Sequence, residues 1–542
     1  MRNILLCFFA CFIATQAISA QGSNCPQRYK RRVFNSIQIF RDVVYSKDAP
    51  KLLTASLGIE TWLSTDLKMD IFMPPPTDVV DNRPVVILAH GGGFVNIAFM
   101  GGTVLVGTMH NEDVQALADT LAHWGFVTAS IEYRTGFDVL SQTSITRAVW
   151  RGSQDVSAAV RFFRKNANWF GIDPQRVFIG GSSAGAFACL HSTFVDGSER
   201  VPESLEQTPI LMEDLGEMHS RPVVELTSFN PFAGTNVLGN DVDSIAQGIA
   251  SYWGAIASPS MIAGNNRAPV IMFHGSSDLV VDAQCAQPFS SLILVAPVTC
   301  GSIVLDSAMT AQNLLHETYI ESGEGHEYWG VLNGDWLPSG PNAYWADMID
   351  KTAQFFYKIM RPATPTIIGS LGVAPSSTHT YSIQNPAPNT TYCWEVVNGT
   401  IINSGNPNGS TIQVLWSANQ GIGTVKASTI DAAQVVSLQR NYNVNISNLV
   451  AVDNLQANQQ ALSISPNPNA GSFDLRFTPS TSDDCQVRIF DLNGREIYAQ
   501  TIVSPAANAE TIQHINTNLT SGVYSLILQQ GSSRRIQKII IY

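Results

Sequence analysis

Gly180-Gly181-Ser182-Ser183-Ala184-Gly185 constrains this chain more than any other segment. The apolar, β-prone run Val177-Phe178-Ile179 precedes it. Ala184 to Phe194 follows without a proline and can start a helix. A strand that turns sharply into a helix suits a mostly parallel sheet covered by helices. The glycines flanking Ser183 leave room for a strained turn with close backbone approach, which pushes the Ser183 hydroxyl out of the sheet. In this context Gly181-Ser182-Ser183-Ala184-Gly185 reads as a nucleophile elbow.

Other segments supply what a nucleophilic serine needs. His90-Gly91-Gly92-Gly93-Phe94 directly follows the apolar run Val85–Ala89. Backbone N–H groups in such a loop can stabilise negative charge on a carbonyl oxygen without reorganising. Gly92, Gly93 and Ala184 are the expected donors. The base and its orienting carboxylate lie downstream. Pro269–Phe273 is a buried-strand pattern that runs into His274-Gly275-Ser276-Ser277-Asp278, placing Asp278 at a strand's C-terminal end. His316–Ile320 reads as a short strand, followed by Gly323-Glu324-Gly325-His326, with His326 on a glycine-bounded loop. Catalytic groups of open parallel sheets collect at such ends. Asp282 is the rival acid but lies further from the strand end. His274 reads as a support for its loop, His316 as a strand residue, and His90 as a brace for the glycine loop.

With these parts in place, residues from about 60 to 360 resemble an α/β-hydrolase carboxylesterase of the hormone-sensitive-lipase-like group. Lys68–Pro75, His90–Phe94, Ile131-Glu132-Tyr133-Arg134, Gln154–Arg161 and Phe170–Pro174 carry the resemblance. The order Ser183, Asp278, His326 is the order of that fold. Two features depart from the pattern. Ser182 stands where such enzymes usually carry Asp or Glu, and the long interval from Asp278 to His326 suggests an insertion.

The rest of that region reads as α/β. Asn111 can cap a helix carrying Val114, Leu117, Ala118 and Leu121, with Gly125 just past its end. Ser153 can cap another, with Val156, Val160 and Phe163 on one face, and Ala343–Met360 would close the domain as a last helix. A chain of 542 residues exceeds one core, so several domains are expected. A net charge of −12, with no basic stripe interleaved with aromatics, argues against nucleic acid as a partner. The short cluster Lys30-Arg31-Arg32 reads as solvated surface.

Residues 1–20 read as a secretory signal peptide: a basic Met1-Arg2-Asn3, an apolar Ile4–Ile13 and a cleavage site after Ala20. The apolar stretch is too short for a membrane span, and no later apolar run reaches about 18 residues. Cys7 and Cys11 would leave with the peptide. Cys25, Cys189, Cys285, Cys300, Cys393 and Cys485 remain, in a context that permits disulfides. Cys285 and Cys300 are the expected pair, whereas Cys189 reads as a small buried hydrophobe. No cluster has metal-ligand spacing, and His110 and His123 are isolated.

The catalytic domain is expected over residues 21–360. From Arg361-Pro362-Ala363-Thr364-Pro365 the composition turns to Ser, Thr, Asn, Gly and β-formers. Alternation at Ile412, Val414 and Trp416 predicts an all-β sandwich over 361–450. Tyr392–Val396 and Val414–Trp416 make it similar to the Ig-like, PKD-type modules of secreted enzymes. Trp394 reads as core of a passive spacer, against a carbohydrate-binding role. Residues 455–542 contain Ile464-Ser465-Pro466-Asn467-Pro468, alternating Phe473, Leu475 and Phe477, Val487–Arg495, Leu519–Leu528 and a terminal Lys538–Tyr542 strand. This segment resembles the C-terminal sorting domain of the type IX (Por) secretion system of Bacteroidetes. The resemblance implies that machinery as a partner, passage through the periplasm and across the outer membrane, and release or surface attachment.

These readings converge on a secreted serine carboxylesterase for short to medium acyl esters, working through an acyl-enzyme with no cofactor. Phe94, Trp150, Tyr328 and Trp329 are the candidate pocket walls, Trp150 reading equally as core. A serine peptidase on the same fold and a non-catalytic surface binding protein are the alternatives.

Overall fold

The computed structural model describes residues 25–56, 59–95, 106–195, 218–219, 221–227, 234–239, 241–264, 266–290, 295–404, 409–448, 462–491, 495–531 and 533–542. The expected signal peptide, with Cys7 and Cys11, lies outside them.

The α/β region is built from β1 (Gln38–Ser56), β2 (Ile59–Met73), β3 (Arg83–Ala89), α1 (Glu112–His123), β4 (Val127–Ile131), α2 (Gln142–Lys165), α3 (Ala167–Phe170), β5 (Ile172–Ser182) and α4 (Ala184–Phe194). It continues through the β6–β7 hairpin (Val223–Leu226, Gly234–Val237), β8 (Gly248–Tyr252), β9 (Ala255–Ile256) and β10 (Val270–Gly275). Next come β11 (Cys285–Ala286), β12 (Thr299–Gly301), α5 (Ser302–Ala311), β13 (His316–Glu321), the β14–β15 hairpin (Val331–Leu332, Asp335–Trp336) and α6 (Ala343–Met360).

Eight strands form one sheet in the order β1-β2-β4-β3-β5-β8-β10-β13. The pairs β1–β2 and β2–β4 are antiparallel, and the remaining pairs are parallel. Side chains alternate across a strand, so β3 feeds two cores. Val85, Ile87 and Ala89 pack under α2 and α4, while Val86 and Leu88 pack under α1 and α6. Burial on both faces explains why β3 reads as an uninterrupted apolar run.

Two expected helix starts differ. Ser153 lies inside α2, and the capping side chain is Ser141, whose hydroxyl accepts from Ser144 N at 3.2 Å. Ser153 instead bonds Val149 O at 2.8 Å, the bond back to the preceding turn that lets a serine sit mid-helix. Asn111 precedes α1 but its side chain makes no capping bond. The β14–β15 hairpin does that work, with Gly334 O accepting from Asp113 N at 2.9 Å.

Two β-sandwiches follow. In the first, strands Ile367–Gly369, Thr378–Ile383, Thr411–Trp416 and Gly399–Ser404 form one sheet. Gly372–Val373, Arg440–Ile446, Gly421–Ile430 and Thr391–Val397 form the other. Tyr381, Val414, Trp416, Val425 and Val444 fill the space between them. Trp394 is half-buried against this core and donates to Gly409 O. The second sandwich packs a three-stranded sheet on a four-stranded one, with Phe473, Leu475, Phe477, Val487 and Ile539 inside.

The first sandwich joins the α/β region. Cys25 and Cys393 form a disulfide. Ala433, Val435 and Val436 enter the same apolar cluster as Tyr29, Phe355 and Tyr357. Tyr29 Oη donates to Ala433 O at 2.8 Å, and Tyr357 Oη donates to Val436 O at 2.9 Å. Lys30, read as solvated, lies 4.2 Å from the centre of the Tyr357 ring.

Candidate active site

The elbow is formed as its sequence requires. Ser183 sits between β5 and α4 with φ 50° and ψ −118°, a sparsely populated conformation for a non-glycine residue. Its N–H donates to Tyr252 O at 2.9 Å, which ties the turn to β8. Gly185 is demanded by packing: a Cβ there would lie 2.1 Å from Ala89 O. The absence of that Cβ lets α4 rest directly on the end of β3.

Ser183 Oγ lies 3.0 Å from His326 Nε2, and His326 Nδ1 lies 2.7 Å from Asp278 Oδ2. The other carboxylate oxygen, Asp278 Oδ1, accepts from Val280 N at 2.8 Å and Val281 N at 2.9 Å. Burial alone would raise the Asp278 pKa. The hydrogen bonds from His274 and His326 outweigh it and hold this carboxyl well below the usual range. Asp278 is therefore a fixed anion facing the imidazole. His274 supports the loop: Nδ1 pairs with Ser302 Oγ at 2.9 Å and Nε2 with Val281 O at 2.8 Å. Asp282 is exposed and caps Gln284 N at 2.7 Å, away from the histidine.

The glycine loop lies against the elbow. A Cβ on Gly91 would come 3.3 Å from Ser182 Oγ and 3.7 Å from Ser183 Cβ. Gly92 and Gly93 have φ of 100° and 60°, values L side chains rarely adopt. Gly93 and Ala184 share a cavity wall with Ser183, whereas Gly92 is buried and does not line that cavity. His90 braces the loop: Nδ1 contacts Gly91 O at 2.7 Å, and the ring stacks on Tyr133 at 4.3 Å. Tyr133 Oη donates to His90 O at 2.8 Å.

The cavity beside Ser183 has a volume of about 350 Å³. Of the four residues expected to wall it, Phe94 and Trp150 do so. Tyr328 and Trp329 do not, and that expectation is corrected. Both are buried in the core beneath α6, where Trp253 packs against Trp329 at 4.7 Å and Tyr328 at 5.4 Å. The chain reverses at His326, so the imidazole faces Ser183 while the following aromatics face the other side of the sheet.

Other wall residues were missed because they carry no motif. Ile145 and Val149 come from α2, and Phe187 and His191 from α4. Phe289 and Pro297 come from the segment closed by the Cys285–Cys300 disulfide. His191 is neutral at ordinary pH: burial pushes its pKa down to about 4, and its Nε2 accepts from Ala257 N at 3.0 Å. Periodicity could have found the helical pair, since Ile145 and Val149 lie four apart. The resemblance carried Arg134 and Asp155 without a role. They form a fully buried ion pair at 2.8 Å that ties the segment after β4 to α2. Among the described residues no group of three or more His, Cys, Asp or Glu could hold a metal, and no helix is long and apolar enough to cross a membrane.

A mostly parallel eight-stranded sheet, with a serine elbow at its centre and an acid and a histidine after two later strands, defines an α/β-hydrolase domain. Residues 69–293 match the family model BD-FAE, an α/β-hydrolase esterase family. Residues 463–542 match the secretion system C-terminal sorting domain. It is 31% identical to carboxylesterase 3B of Mus musculus over 182 residues, 31% of this chain and 29% of that protein. It is also 31% identical to gut esterase 1 of Caenorhabditis elegans over 122 residues, 22% of this chain and 19% of that protein. Neuroligin-2 of Rattus norvegicus is 35% identical over 123 residues, 22% of this chain and 13% of that protein. The chain spans less than two thirds of the length of these curated relatives. Esterase 2 of Thermogutta terrifontis, phosphorylated by paraoxon, aligns at 18% identity and TM-score 0.33, covering 57% of this chain and 94% of that one. The sorting domain implies export, with secretion or attachment at the cell surface.

Proposed function

We propose that this protein is an exported serine carboxylesterase, carried out by the type IX machinery after removal of residues 1–20. One observation carries the reading: a continuous hydrogen-bond chain Ser183–His326–Asp278 beside a glycine loop seated on the elbow. Ser183 Oγ attacks the ester carbonyl while His326 Nε2 takes its proton. Asp278 holds the other imidazole N–H and stabilises the imidazolium. The N–H groups of Gly92, Gly93 and Ala184 receive the oxyanion. His326 then protonates the leaving alcohol, and water activated by the same imidazole releases the acid from the acyl-enzyme.

The apolar cavity favours short to medium acyl chains. Each methylene that enters it is worth about 0.8 kcal/mol, roughly fourfold in kcat/KM until the cavity is full. The test is hydrolysis of p-nitrophenyl esters from acetate to palmitate by the full chain and by Ser183→Ala. We expect activity that rises and then falls with chain length, and a loss of roughly 10⁴- to 10⁶-fold in the variant. A folded wild type without activity on any ester would refute the proposal.

A further inference from the structure

The segment between Asp278 and α5 is neither motif nor crossover alone. Its described residues, 279–290 and 295–301, form the two arms of a strap. β11 and β12 pair antiparallel with Cys285 opposite Cys300, and the two cysteines are bonded. β12 also pairs with β9, so the strap is anchored at its base to the strand that leads into Ala257 and Ser258 of the cavity wall. On either side of this base, the strap's described residues Pro288, Phe289, Ala296, Pro297 and Thr299 line the cavity.

Phe289 is the informative residue. Its φ is 52°, a region that bulky L residues rarely occupy, and its N–H is fixed to Val280 O at 2.9 Å. A Cβ on Gly93 would lie 3.0 Å from Phe289 Cζ. The ring therefore lies against the glycine expected to donate to the oxyanion, and both residues line the cavity. Val280 also binds Asp278 through its N–H, so a single turn holds both the acid and the ring. Strained backbone that holds a half-buried aromatic against the glycine loop needs a surrounding structure that over-determines it. The disulfide at the strap's base supplies that, because the β11–β12 pairing beneath it is only two residues long.

We propose that this strap sets the size limit of the acyl cavity and that Phe289 is the residue that determines specificity; the proposal rests on the esterase reading above. The ring lines the cavity beside Gly93, and chains longer than the cavity can hold would meet it there. The same contact restricts the motion of Gly93. Loss of the ring should extend the cavity along the strap and let longer acyl chains enter.

The experiment measures kcat and KM of the full chain on p-nitrophenyl butyrate and decanoate, for wild type, Phe289→Ala, Phe289→Leu and the double variant Cys285→Ser/Cys300→Ser. The decanoate-to-butyrate ratio of kcat/KM is expected to rise at least tenfold in Phe289→Ala and by an intermediate factor in Phe289→Leu. In the double variant it should rise a few-fold, with the gain residing in KM for decanoate. A ring that merely supports the fold would lower both esters together and leave the ratio within twofold of wild type, which would overturn the proposal. Labelling of Ser183 by a small fluorophosphonate separates the two levels. A wild type that is neither labelled nor active removes the esterase reading and this one with it. A labelled, active wild type with an unmoved ratio removes only the strap's role.

Discussion

The two β-sandwiches differ in what they share with the α/β-hydrolase domain. The core of the sorting domain is drawn wholly from residues 462–541. The first sandwich has its own core, yet it also lends Cys393, Ile430, Ala433, Val435 and Val436 to the cluster beneath α1 and α6. A covalent bond to Cys25 and a partly buried Arg176–Asp431 ion pair reinforce the junction. Compositional breaks near 361 and 455 look alike in sequence, but among the described residues only the first is crossed by a shared apolar cluster. A linker rich in proline and threonine does not by itself mark an independently folding boundary; what counts is whether apolar contacts cross it.

This difference predicts unequal truncations. Chain ending at Met360 would expose Tyr29, Phe355 and Tyr357, which are at most 2% accessible in the whole protein, and would leave Cys25 unpaired. We expect it to be insoluble or to lack a cooperative thermal transition. Chain ending at Asn448 should keep the melting temperature and the esterase activity of the full protein. Equal behaviour of the two truncations would dissolve the distinction. The next effect is smaller. Cys25→Ser/Cys393→Ser opens a bridge spanning 368 residues. Constraining the unfolded chain over such a loop is worth on the order of 5 kcal/mol, the top of the usual range. The catalytic transition should fall by several degrees, and that of the sorting domain should not move.

The same contrast explains what the sequence discloses. The positions of Ser183 and Asp278 were legible because each follows a buried apolar strand beside a tightly packed glycine, whereas His326 follows the half-buried strand His316–Glu321 and was read from its glycine-bounded loop. The parallel order of the sheet followed from the same runs. Tyr328 and Trp329 were misplaced because proximity in sequence to His326 says nothing about which side of a reversing chain a ring faces. Phe289 and the Cys25–Cys393 bond were invisible for a different reason. Both depend on contacts between distant segments, and six cysteines alone allow 15 pairings. The start of α2 was missed because Ser141 and Ser153 are equally good caps in isolation, and only burial of Ala148 and Arg151 selects the longer helix.

Acid offers the finest way to separate body from tail. His191 lies in the cavity wall, and burial lowers its pKa from 6.5 to about 4. Between those values the unfolded chain binds a proton at this position and the native chain does not, so stability from this group falls as pH drops. The loss begins near pH 6.5, is complete near pH 4, and amounts to about 3 kcal/mol. Asp278, held below its ordinary range, adds a further loss as pH falls past the usual carboxylate values. Asp113 and Glu327 act in the opposite sense, because burial raises both and the native state takes up their protons first. A bare melting curve therefore mixes opposing contributions, and the clean quantity is a difference. The stability of wild type minus that of His191→Gln, followed from pH 7 to pH 4, cancels the carboxylates. It should decline by about 3 kcal/mol in the catalytic transition while the sorting-domain transition gives no difference at any pH. A flat difference would mean that His191 is not held neutral by its burial between α4 and the strand-end residue Ala257. The cavity wall would then be wetter than the geometry implies.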